Sequence, residues 1–323
     1  MQYFAAVGLP FIILIVTGPT LIGFLKRFNY GQQVRKEGPE SHLKKEGIPT
    51  MGGVLIILGI VITALLLLKL NPDVLWVLII TGGMGLVGLL DDVLKIKGGQ
   101  SLGLRAREKL VAQLILGLVI ALYLYIFRDE GTLLLIPFLG VLVDFEFWIV
   151  PLTVLTVVGT VNAVNLTDGL DGLAAGVTAL AASAFAVIYA FQGFNQLTLL
   201  SLSITGACIG FIWFNSYPAQ VFMGDVGSLA LGGALASMAV LSQTQLFLVI
   251  IGGVYVMEAL SVMIQVTYFR LTDGERVFKM TPIHHHFELM GLSESKVVAR
   301  FWIMSMIFAA FGLISYFAGG YPG

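Results

Sequence analysis

Residues 133–147, LLLIPFLGVLVDFEF, decide how the rest of the chain is threaded. The stretch Leu133–Val143 is apolar, but it is short and contains Pro137 and Gly140. A helix crossing the hydrocarbon core of a bilayer takes about 17–25 apolar residues, so eleven or so are too few. Asp144 and Glu146 then alternate with Phe145 and Phe147, which is the two-residue period of a strand. The stretch therefore reads as a β-hairpin lying at a membrane interface. Taken as a span instead, it would reverse the orientation of everything that follows.

Outward from that hairpin, apolar runs long enough to cross a membrane lie near 3–25, 50–68, 74–90, 110–127, 148–164, 173–190, 197–214, 228–242, 246–269 and 297–318. The first run has no basic residue before it, and Lys26-Arg27 follow it. It reads as a retained first helix with its N-terminus outside, not as a cleavable leader. Ten spans then place the C-terminus outside as well. The loops at 26–48, 91–109 and 270–300 all fall inside and hold 6, 5 and 5 of the 18 Lys and Arg residues. The outside loops hold only Lys69 and Arg128. Counting the hairpin as a span would move the five basic residues of 270–300 outside and spoil that asymmetry, so the positive-inside rule supports ten. The expected fold is an all-α, polytopic integral membrane protein with about ten transmembrane helices, both termini outside and a short outside β-hairpin. No repeat, linker or low-complexity tract divides the chain, so residues 1–323 are expected to form a single domain.

Composition agrees. The chain has 323 residues, 58 % of them hydrophobic and 11 % charged, and its mean hydropathy is +0.94. Soluble domains carry about 25 % charged residues. The net charge of −1 gives no footing for a nucleic-acid partner. Cys208 is the only cysteine, which excludes disulfides and cysteine metal sites.

With the topology set by Lys and Arg alone, the acidic residues can be placed independently. Asp91-Asp92 end the third span, and Asp168 and Asp171 lie after the fifth in NLTDGLDG, residues 165–172. Asp225 lies after the seventh in FMGDVGS, residues 222–228, and His284-His285-His286 precede the tenth. Four segments thus bring Asp and His to the same inside face. Hard oxygen donors of this kind suit Mg²⁺ bound with a substrate phosphate. Lys45, Lys95, Arg105, Arg107 and Lys109 on that face suit the anion.

Each motif also has a plainer reading. Asp91-Asp92 and Asp225 read either as helix-end residues or as phosphate and metal ligands, Asp225 being flanked by Gly224 and Gly227 before a helix start. Asp168 and Asp171 read as a turn pair or as a shared site face. The histidines lack a zinc-hydrolase spacing and suit hydrogen bonds to phosphate or sugar oxygens. Lys45 and Thr50, within KKEGIPTMGG at 44–53, sit where a basic loop meets the second span. Glu258 falls inside the ninth run, near Gly252-Gly253, which suggest a bend or close packing. An intramembrane carboxylate is either a structural hydrogen-bonding group or part of a site. A transporter would scatter ionisable residues through mid-membrane, whereas here only Glu258 lies there.

Pro49-Thr-Met-Gly-Gly53, Leu89-Leu-Asp-Asp92, Asn165 to Gly172, Phe222 to Ser228 and Pro282 to Glu288 together resemble the phospho-N-acetylmuramoyl-pentapeptide transferases. These belong to the polyprenyl-phosphate phospho-sugar transferase superfamily, and the matching motifs run in order through most of the chain. The resemblance implies an Mg²⁺-dependent transferase of the bacterial inner membrane with its active site on the cytoplasmic face. It would move phospho-MurNAc-pentapeptide from UDP-MurNAc-pentapeptide to undecaprenyl phosphate in peptidoglycan biosynthesis, giving lipid I and UMP, and would act as a homodimer. By the same likeness Asp225 contacts the metal, and Asp91 and Asp92 serve the lipid phosphate, with Asp91 as the base. Asn165, Asp168, Asp171, Asn215, Phe222 and Lys95 line the nucleotide side. Lys45, Thr50, His284 and His285 complete the pocket, one of the equivalent basic residues Lys109, Arg105 and Arg107 meets phosphate, and the unbroken His284-His285-His286 separates this branch from one using UDP-N-acetylglucosamine.

Overall fold

In the computed structural model, residues 1–27, 47–98 and 103–320 are described. The order is α1 (Gln2–Arg27), α2 (Gly53–Leu67), α3 (Pro72–Gly98), α4 (Ala106–Phe127), β1 (Leu133–Ile136), β2 (Val141–Asp144) and a 3₁₀ turn (Glu146–Trp148). Then follow α5 (Ile149–Thr167), α6 (Leu173–Phe191), α7 (Asn195–Asn215), α8 (Gly224–Leu241), α9 (Gln245–Ile251), α10 (Gly253–Leu271), α11 (Ile283–Leu289) and α12 (Glu294–Ala318). Among the described residues, 9 helices are long and apolar enough to cross a membrane, and the apolar α2, at 15 residues, is shorter. The ten apolar runs thus reappear as helices, with three refinements.

The run at 246–269 is broken at Gly252, so α9 and α10 are separate helices. A Cβ at Gly252 would press on the Leu248 carbonyl at 2.5 Å, and one at Gly253 would press on the Phe308 ring at 2.5 Å. The third helix continues past Asp91-Asp92 to Gly98, with Lys95 and Lys97 in its last turn, where cations offset the helix dipole. The helix after Ser228 begins earlier, at Gly224, so Asp225 lies in its first turn.

The helices form two layers. In α8, 89 % of the most apolar window is buried, and α6 and α7 follow at 78 % each. The outer helices α1, α3, α4, α5, α10 and α12 are buried over 28–39 % of theirs, and they present residues such as Leu86, Leu155 and Ile307 outward. Small residues let backbones approach where no hydrophobic drive separates helix from lipid. A Cβ on Gly53 of α2 would run into the Gly227 backbone of α8, and one on Gly88 of α3 would run into the Asp225 backbone. These two approaches seat the start of α8 against α2 and α3, where the carboxylates are.

The hairpin is present. The two strands pair antiparallel from Leu133↔Asp144 to Ile136↔Val141. Leu134 and Leu135 are buried, whereas β2 is exposed throughout. The hairpin docks through Leu135 N–H to the Gln243 carbonyl (3.0 Å) and Phe138 N–H to the Ser315 carbonyl (3.0 Å). Gln243 follows the C-terminal end of α8 and Ser315 lies near the end of α12. The hairpin is therefore at the end of the bundle opposite Asp225.

Candidate active site

The site grows from the way α3 holds the start of α8. The first N–H groups of a helix lack partners within it. The Asp92 carboxylate, from α3, accepts those of Asp225 (3.2 Å) and Val226 (3.1 Å), and so caps α8 from a neighbouring helix. Gly224 has φ +73°, and a Cβ there would press on Asp92 Oδ2 at 2.5 Å and on Thr50 Oγ1 at 2.8 Å. Thr50 is thereby placed beside Asp92. The strand-like contacts of Phe222 N–H to the Pro49 carbonyl and Gly52 N–H to the Phe222 carbonyl, both 2.8 Å, fix the two loops together.

One turn of α3 carries the charge balance. Lys95 Nζ lies 2.5 Å from Asp91 Oδ2, 3.3 Å from Asp225 Oδ2 and 3.8 Å from Asp92 Oδ1. Lys109, at the start of α4, reaches Asp225 Oδ2 at 2.5 Å and Asp91 Oδ1 at 3.0 Å. Leu104 N–H also donates to Asp91 Oδ1 (2.8 Å). From α5, Asn165 donates to Asp225 Oδ1 (3.1 Å) and to Ser228 Oγ (2.8 Å). One oxygen each from Asp91, Asp92 and Asp225 can be chosen within 4.8 Å of one another. Three carboxylates held this close by backbone contacts, with both lysines more exposed than Asp91, form a hard-oxygen donor set that fits a divalent cation. Arg105 and Arg107 are exposed, and Lys109 is the basic residue of its run that joins the cluster. Lys45 lies outside the described residues.

The loop from Asp168 to Gly172 sits beside this cluster. Burial, and then the negative charges of Asp225, Asp92 and Asp171, push the Asp168 carboxyl well above the ordinary carboxylate range, against the opposing pull of Lys95. Asp171 and Asn215 are buried and hold backbone. Asp171 Oδ2 accepts from Ala219 N–H (3.0 Å), and Asn215 bridges Gly172 N–H (3.0 Å) and the Val221 carbonyl (2.8 Å). Glu294 of α12 accepts the Asp171 N–H at 2.8 Å. The sequence reading missed Glu294, because a carboxylate in the first turn of a helix looks like any favourable end charge.

The histidine run forms its own short helix, α11, and its three members part ways. His284 is fully buried and pairs through Nδ1 with Glu258 Oε1 of α10 at 3.0 Å. His285 pairs with Glu288 at 2.8 Å. His286 Nδ1 accepts the Lys279 N–H at 3.1 Å, away from the carboxylates, and so shapes the loop before α11. The His284 ring lies against Gly169, where any Cβ would run into Nε2. His284 thus reaches the same loop as Asp168. The structure brings Thr50, Asp91, Asp92, Lys95, Lys109, Asn165 and Asp225 into one cluster, with Asp168 and Phe222 on the loops around it and His284 on α11.

The chain is similar to known proteins along nearly its whole length. Residues 74–243 match the family described as Glycosyl transferase family 4, and residues 45–57 match the first phospho-N-acetylmuramoyl-pentapeptide-transferase signature. A Desulforamulus reducens protein named phospho-N-acetylmuramoyl-pentapeptide-transferase is 47 % identical over 315 residues, covering 96 % of this chain and 94 % of its own. Proteins of the same name from Geobacillus sp. and Clostridioides difficile are each 46 % identical. They cover 95 % of this chain, and 96 % and 95 % of their own.

Proposed function

Because the chain belongs to the phospho-N-acetylmuramoyl-pentapeptide-transferase family, we propose that the Asp91–Asp92–Asp225 cluster is where it transfers phospho-MurNAc-pentapeptide from UDP-MurNAc-pentapeptide to undecaprenyl phosphate, giving lipid I and UMP. The observation that carries this reading is the gathering of three carboxylates and two lysines from α3, α4 and α8 at one end of a multi-pass bundle.

A phosphoanhydride is exchanged for another, so positioning and charge neutralisation dominate. Asp225, with Asp91 and Asp92 beside it, would hold an Mg²⁺, which when bound would supply Lewis-acid neutralisation of the pyrophosphate and the departing UMP. Lys95 and Lys109, already the more exposed partners of the carboxylates, turn to the incoming phosphates. Asn165 steadies Asp225 through its amide. Asp91 takes the proton of the lipid phosphate where it carries one, and that phosphate attacks directly. Trapping a phospho-sugar on Asp91 or Asp225 would replace this with a two-step route. Asp168 and Phe222, with Lys45, Thr50, His284 and His285, line the donor side. Asp171 and Asn215 support it by holding the 215–222 turn.

The site end faces the cytoplasm of a bacterial inner membrane, which the clustering of Lys and Arg supports. Residues 1–323 act as one domain, a reading supported by a hydrophobic core that runs from Ala6 to Tyr316. By its family likeness the enzyme is expected to form a homodimer.

The test is a transfer assay with purified protein, undecaprenyl phosphate and two competing donors, UDP-MurNAc-pentapeptide and UDP-N-acetylglucosamine, with and without Mg²⁺. UMP release and a lipid-linked product from the first donor, lost on chelation, is the expected result. Product from only the second donor, or none from folded protein, overturns the reading.

A further inference from the structure

Glu258 and His284 form a closed pair: both side chains are fully buried, and neither belongs to the carboxylate cluster. Glu258 Oε1 meets His284 Nδ1 at 3.0 Å, while Glu258 Oε2 and His284 Nε2 have no hydrogen-bond partner among the described residues. An isolated charge in such a place is costly, whereas a pair of no net charge is tolerated. Three arrangements of the pair carry no net charge, but one of them, Glu258 protonated on Oε2 with Oε1 accepting from Nδ1–H, buries an O–H that has no acceptor among the described residues, which leaves two. In one, the carboxylate faces an imidazolium, and both ring nitrogens hold protons. In the other, protonated Glu258 donates to Nδ1, so the single ring proton must sit on Nε2. Nε2 is a donor in both. A carboxylate against a neutral ring protonated at Nδ1 would also strip Nε2 of its proton, but leaves an uncompensated negative charge.

We propose that Glu258 is a positioning residue that keeps the proton on His284 Nε2, so that His284 is a hydrogen-bond donor to an anionic or sugar oxygen of the donor substrate. This rests on the reading of His284 as a substrate contact. Buried donors are almost always satisfied, and the orphaned Nε2 lies over Gly169, next to Asp168 in the loop beside the cluster. Gly169 carries no side chain, and the His284 ring takes the place one would fill. The ligand acceptor completes the bond that the fold leaves open. The break at Gly252 starts α10 afresh, and its second turn carries Glu258.

The test combines kinetics and spectroscopy on the full chain. Glu258→Leu fills the space without a hydrogen bond, and Glu258→Gln keeps a donor for Nδ1 and with it the proton on Nε2. The expected loss of kcat for Glu258→Leu is about 10- to 100-fold, on the scale of removing the partner that orients a metal-bound histidine, with Glu258→Gln recovering most of it. In a His284→Ala background, Glu258→Leu should cost nothing further. Equal losses in both backgrounds, or no loss in either, overturn the proposal. The chain has only 4 histidines, so ¹⁵N-histidine spectra can be assigned with His284→Ala. They are expected to show Nε2 of His284 protonated, and an unprotonated Nε2 overturns the proposal even if wild-type protein shows no transfer. Wild-type activity in His284→Ala would instead overturn the substrate-contact reading beneath it, and the proposal with it.

Discussion

At Gly169 a missing side chain does the work. A Cβ there would displace the His284 ring, because the two are already in contact at Nε2. Gly169→Ala should therefore lower the transfer rate about tenfold or more, on the scale of a misplaced catalytic group, while the melting temperature moves by a few degrees at most; an unchanged rate would show that the ring is free to shift. Asp168, its neighbour, gives a pH-dependent effect. Its carboxyl is raised in the folded protein, so the fold holds that proton more tightly than the unfolded chain does. The associated stability is present below the ordinary value of 3.8 and is lost as pH rises towards the folded value. Asp168→Asn removes this penalty. With EDTA present to keep cations away, the variant should melt higher than wild type near neutral pH, and the fall of melting temperature as pH rises above 3.8 should flatten. Parallel curves for the two proteins would contradict this.

Among the elements, α8 depends on a cap it does not own. Asp92→Ala leaves two N–H groups at the start of α8 without their acceptor, and caps of this kind are worth about 1–2 kcal/mol. The variant should lose stability of that order in detergent denaturation, in addition to losing transfer; full stability would show that water or Thr50 replaces the carboxylate. This dual role was invisible in the sequence. Two adjacent aspartates at the end of an apolar run look alike, and only the approach of Gly88 to Asp225 tells the capping residue from its neighbour, which pairs with Lys95 and Lys109. The hairpin, in contrast, was legible from its proline, its glycine and the alternation of Asp144 and Glu146 with phenylalanines. So was the bend at Gly252-Gly253. The helix ends were not, since α3 runs on to Gly98 and α8 begins at Gly224 through contacts that no local pattern encodes.

For the whole molecule, the hairpin and the 270–300 loop lie at opposite ends, and the lone cysteine offers a direct check of sidedness. Cys208 is fully buried, so wild-type protein should react little with a membrane-impermeant maleimide. Leu139→Cys, at the exposed hairpin tip, should label in intact spheroplasts. Arg276→Cys, in the exposed segment before α11, should label only once the membrane is opened. The reverse pattern would turn the protein over.

The central position of α8 also bears on how the protein is made. Its mean hydropathy of 1.4 is below the 2.2 of α1 or the 2.5 of α4, because its surface is given to glycines, alanines and serines that let other helices close in. Such a segment partitions weakly into lipid by itself. As the chain leaves the ribosome, α1 and α4 are expected to enter the bilayer independently, whereas α8 is expected to enter with its already inserted partners α2, α3 and α5. The helix that carries Asp225 is thus among those least able to enter the membrane alone.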